Sequence, residues 1–107
     1  MIFDWKQWNI DHLAKHGVAA AEAQYVMQHS RPPYPREIGQ GKYLVHGQTQ
    51  EGRYLQVIFV YQREDMIAYE DLKLENVLAL SDDEGPFVLV IHARELTADE
   101  KSRLRKR

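Results

Sequence analysis

Hydrophobic positions recur along this chain at two periods, and the switches between them mark its elements. Over residues 8–16, Ile10, Leu13 and Ala14 follow Trp5 and Trp8 at helical spacing. Asn9 stands where a cap is wanted, and Gly17 where a left-handed residue closes a helix. A second helix is expected over 19–28, alanine-rich, with Ala23, Val26 and Met27 along one side. Arg31-Pro32-Pro33-Tyr34-Pro35 ends it, because proline lacks an amide donor and pushes its predecessor out of helical conformation. The period then shortens. Residues 42–48 and 53–61 read as extended runs flanking Thr49-Gln50-Glu51-Gly52, a β-hairpin with glycine in its turn. Residues 87–93 read as a further apolar strand and 2–5 as a short opening one. Thr97 and Glu100 carry the spacing of a capping box at the head of a final helix.

The order is β-α-α-β-β, an insertion, then β-α. Consecutive strands joined by a short turn favour antiparallel pairing, so the expected architecture is α+β, a small antiparallel sheet with helices on one face. Met66, Ile67, Tyr69, Leu72, Leu74, Val77, Leu78 and Leu80 fit neither period, leaving residues 64–85 open between longer hairpin strands and an extra helix. At 107 residues the chain reads as one domain over 1–107, interrupted by that insertion.

A hydrophobic content of 44% against 28% charged residues places the chain with proteins that fold. The absence of cysteine excludes disulfides and thiolate metal sites. With no apolar signal core and no apolar run of spanning length, a cytoplasmic location without a membrane partner is expected. Charge changes the picture more. Residues 64–85 hold eight Asp or Glu against one Lys, a balance of -7, so within a net charge of -2 the rest of the chain carries +5. A basic body of that kind attracts phosphates, and Lys15, Lys42 and Arg103 are its candidate RNA contacts.

Two motifs near the ends carry the candidate chemistry. The first is Asn9-x-x-His12-x-x-x-His16-Gly17-Val18 followed by Glu22; the second is Ala93-Arg94 with Thr97 and Glu100, leading into a basic helix. Between them stand Gly41-Lys42-Tyr43-Leu44-Val45, Gly47-Gln48-Thr49 and Gly52-Arg53-Tyr54-Leu55. In this order they resemble the BrnT family of bacterial toxin ribonucleases, over roughly residues 3–61 and 87–105. The resemblance is to a divergent member: Lys6 matches the family's early lysine only with a shift, His92 replaces a small hydroxyl residue, and the acidic insertion is additional. It implies a RelE-like fold and a metal-independent ribonuclease of a type II toxin-antitoxin system. The implied partner is a BrnA-type antitoxin, through which alone the chain would meet DNA.

Metal-free RNA cleavage needs a base for the 2′-hydroxyl proton, an acid for the leaving oxygen and cations against the phosphorane charge. Family position supports His16 as acid or base, Arg53 and Arg94 as phosphate clamps, and Glu100 as base or orienter. His92, two residues before Arg94, shares its strand face. Arg94 is the foremost of these, since local sequence supplies it with no partner. His12 and His16, four apart, are the rival metal reading, but spacing places no third ligand, so no metal and no cofactor is expected. A non-catalytic interaction module of the same fold is the alternative function.

Overall fold

The computed structural model describes residues 2–62 and 87–106; the acidic insertion expected over 64–85 lies outside them. The described elements are β1 (Ile2–Phe3), α1 (Gln7–Ala14), α2 (Ala20–Gln28), β2 (Arg36–Gly39), β3 (Lys42–Gln48), β4 (Tyr54–Gln62), β5 (Phe87–Glu95) and α3 (Ala98–Arg105). The strands form one sheet in the order β1-β5-β4-β3-β2. None of the described helices is long and apolar enough to cross a membrane.

The sheet is mixed, which corrects the expectation of an antiparallel one. β2, β3, β4 and β5 pair antiparallel, but β1 runs parallel to β5 through Ile2 opposite Phe87 and Phe3 opposite Val88. α1 and α2 carry the chain from β1 across the sheet to β2 at the far edge, and a crossover of this kind removes the antiparallel constraint that a tight turn imposes. β2 was absent from the expected elements because every residue in it is exposed, so no burial alternation marks it.

One row of side chains forms the core. Tyr43 and Val45 of β3, Leu55, Val57 and Phe59 of β4, and Val90 and Ala93 of β5 pack with Leu13, Val18, Ala23 and Val26 from the helical layer. α2 lies close enough to β3 that a Cβ on Gly47 would sit 2.9 Å from Val26 Cγ1. The alternate row, with Gln56 opposite Arg94, faces the other way. There α3 attaches, through Glu100 to Arg94 and through the Arg105 guanidinium 5.1 Å from the Tyr54 ring centre. Helices on a single face therefore hold for α1 and α2, not for α3.

Local chemistry sets the ends of α1. Asn9 is not the cap but lies one turn in: its Oδ1 accepts from the Lys6 amide at 2.7 Å, while Nδ2 donates to the carbonyls of Asp4 and Val90, each at 3.2 Å. This fully buried amide ties α1 to β5. At the other end Gly17, at φ +72°, lets its own amide reach Ala14 O and the Val18 amide reach Leu13 O, which closes the helix and holds His16 in the turn.

Candidate functional site

The sequence-derived site residues fall into three groups. In the first, Arg94 on β5 grips Glu100 on α3 with both terminal nitrogens, Nη1 to Oε1 at 2.8 Å and Nη2 to Oε2 at 2.9 Å. Arg94 is thus not the unpartnered arginine the sequence suggested: the cap of α3 brings a carboxylate six residues on back over the strand. The Thr97 amide donates to Glu100 Oε1 at 2.8 Å and the Glu100 amide to Thr97 Oγ1 at 3.2 Å, the expected capping box. Hydrogen bonds from Arg94, then the Thr97 amide, hold the Glu100 carboxyl down to about 2. A carboxylate held so acidic orients its arginine well and is a poor proton acceptor near neutrality.

That pair extends across the sheet. Arg94 Nη2 also donates to Gln56 Oε1 at 3.2 Å, and the same oxygen accepts from His46 Nε2 at 3.0 Å. Because a carbonyl oxygen only accepts, His46 carries its proton on Nε2 and Nδ1 is the acceptor of the neutral ring. The row Arg94, Gln56, His46 occupies facing positions on β5, β4 and β3, and it ends at a groove of about 640 Å³. Tyr25, Tyr34 and Tyr54 line this groove with the basic side chains of Arg31 and Arg105. His29 faces it as well, its ring stacked on Tyr25 at 4.0 Å and its Nδ1 donating to the Tyr25 carbonyl at 2.9 Å, which leaves Nε2 as acceptor.

The second group is Arg53, which is committed elsewhere. Nη1 donates to both oxygens of Glu22 at 2.8 Å, and Nε donates to Glu95 Oε1 at 3.0 Å, so two carboxylates surround the guanidinium. These contacts lie on the row that continues Ala93, Val57 and Leu55, so the sheet separates Arg53 from Arg94.

In the third group, His92 meets His16 with ring centres 4.8 Å apart and His12 at 5.8 Å; His12 and His16 are 5.6 Å apart. His92 stands beside a bulge: Ile58 and Phe59 are consecutive on β4, but their partners His92 and Val90 are two apart, with Ile91 inserted. Among the described residues β1 pairs with only the first two residues of β5, and the end of α1 takes the outer side of His92. Burial first, then the nearby His16, His12 and Arg94, push the His92 imidazole below its ordinary value. The third ring that sequence spacing did not supply is therefore brought by the fold.

Lys15 is exposed at the end of α1, Lys42 opens β3 at the end away from the groove, and Arg103 is exposed on α3. No hydrogen bond or ion pair joins these three among the described residues. Sequence reasoning did not single out His46, nor the groove residues His29, Arg31 and Arg105. The available signal was a loop that concentrates His29, Arg31 and Tyr34 immediately after a helix, with prolines to stiffen it. In comparisons with known proteins, no family model and no curated sequence matches the chain.

Proposed function

We propose that this chain is a metal-independent endoribonuclease of the BrnT toxin type, binding single-stranded RNA in the groove beside His46. The observation that carries the reading is the hydrogen-bonded row from Glu100 through Arg94 and Gln56 to His46, ending among three tyrosines and two arginines. Tyrosine faces suit bases and the arginines suit the phosphates between them. The mixed five-stranded sheet with a basic C-terminal helix supports the RelE-like part of the reading.

In this scheme one imidazole, His29 or His46, removes the 2′-hydroxyl proton as that oxygen forms a bond to the neighbouring phosphorus. The bond from phosphorus to the 5′-oxygen breaks, and the other imidazole, which enters the step with both ring nitrogens protonated, gives a proton to the leaving oxygen, yielding a 2′,3′-cyclic phosphate and a 5′-hydroxyl. Arg31 and Arg105 face the developing charge. Arg94 acts as a positioning residue, fixing His46 through Gln56.

Purified protein with chelator present is expected to cleave single-stranded RNA. His29→Ala and His46→Ala are each expected to lose at least ~100-fold in rate with RNA binding changed only a few-fold. Arg94→Ala should also change the pH profile of cleavage, because Gln56 no longer holds one orientation of His46. Expression in bacteria should slow growth, with relief by a BrnA-type antitoxin. RNA that is bound but never cut would overturn the nuclease reading in favour of an interaction module.

A further inference from the structure

The three histidines at the outer edge of β5 take no part in the groove, yet their arrangement has the character of a ligand set. His12 lies on the last turn of α1, His16 in the turn that Gly17 closes, and His92 beside the bulge of β5. One nitrogen from each ring lies within 4.8 Å of the others. A tetrahedral zinc ion with Zn–N bonds of ~2.0–2.1 Å sets its ligand nitrogens ~3.4 Å apart, within reach of small side-chain rotations. Among the described residues none of the three rings makes a hydrogen bond, so those rotations break none.

Two features of the surroundings favour a cation. The histidines gather at the C-terminal end of α1, where the backbone carbonyls carry the negative end of the helix dipole. The backbone beneath them is also rigid. Asn9 locks α1 to the Val90 carbonyl, and Leu13 and Val18, both buried, pin the turn that carries His16. Three imidazoles preset by such a frame suit zinc, copper or nickel rather than magnesium or calcium, which prefer oxygen. His16 is exposed, so a fourth position would face solvent.

We propose that His12, His16 and His92 form a three-nitrogen site for one zinc-type divalent ion, clipping the end of α1 to β5. Its ligands are separate from the groove residues, so the site stands or falls independently of RNA cleavage. The test uses untagged full-length protein stripped by chelator, then titrated with Zn²⁺ by calorimetry and with Co²⁺ by visible absorption. One ion per chain, tetrahedral cobalt bands and a raised melting temperature with Zn²⁺ are expected. His16→Ala, at an exposed position, and His12→Gln should each weaken binding by more than the roughly 10–100-fold typical of losing an outer-shell partner, with circular dichroism unchanged. The double variant His29→Ala/His46→Ala should still bind one ion. No saturable binding, wild-type affinity in the His16 or His12 variant, or loss of the ion in the double variant would each overturn the site.

Discussion

The row from Glu100 to His46 and the cluster of His12, His16 and His92 lie a few residues apart on β5, yet they are held in different ways. Each side chain of the row is tied to the next by a hydrogen bond: Arg94 spans Glu100 and Gln56, and Gln56 spans Arg94 and His46. Among the described residues the histidine cluster is held only by its backbone, through Asn9, the Gly17 turn and the β5 bulge, while its rings touch each other. A network satisfied internally orients groups and contributes to stability without a ligand. A set of unsatisfied donors on a rigid frame contributes little until something binds.

The largest effect that separates them is expected from Asn9→Ala. This change leaves the Val90 carbonyl and the Lys6 amide without their partner beneath the cluster, and it should cost about 1–3 kcal/mol in denaturant unfolding while weakening metal capture. Equal stability of variant and wild type would mean that α1 is held to β5 by packing alone. Next comes Arg94→Ala, which frees Glu100 and Gln56 together. Because Arg94 is about a third exposed, its loss should cost only about 1–2 kcal/mol, and Zn²⁺ should not offset it.

The pH dependence of stability sharpens the same contrast. The Glu100 carboxyl titrates near 2 in the folded protein against 4.5 for the free group, so its ionised form is favoured by folding. Its stabilisation is present above pH 4.5 and is lost as pH falls from there towards 2. Unfolding midpoints measured across that range should fall less steeply in Glu100→Gln than in the wild type. Identical slopes would show that the pair with Arg94 contributes nothing to acid sensitivity. The smallest effect belongs to the cluster: in metal-free protein His16→Ala should shift stability by no more than ~0.5 kcal/mol, as for an ordinary surface position.

The sequence by itself determined the features that residues a few positions apart decide. Leu13 and Ala14 with Gly17, the proline stop after α2, the Gly52 turn and the Thr97 and Glu100 capping box are written in spacings of three to five residues. Their hydrogen bonds close over the same spacings, so pattern and structure coincide. It also identified Arg94, Glu100, His16 and His92 as polar groups at element ends. Only the tertiary structure decided what they do. Whether Arg94 stands alone depended on α3 folding back over β5, and whether His12 and His16 had a third companion depended on α1 ending beside His92 of β5. The commitment of Arg53 to Glu22 and Glu95 depended on which side of the sheet it occupies. The parallel seat of β1 beside β5 was likewise a question of crossover and not of period. Contacts between distant segments are set by register, strand order and packing, and the spacing of residues within a segment carries no record of these.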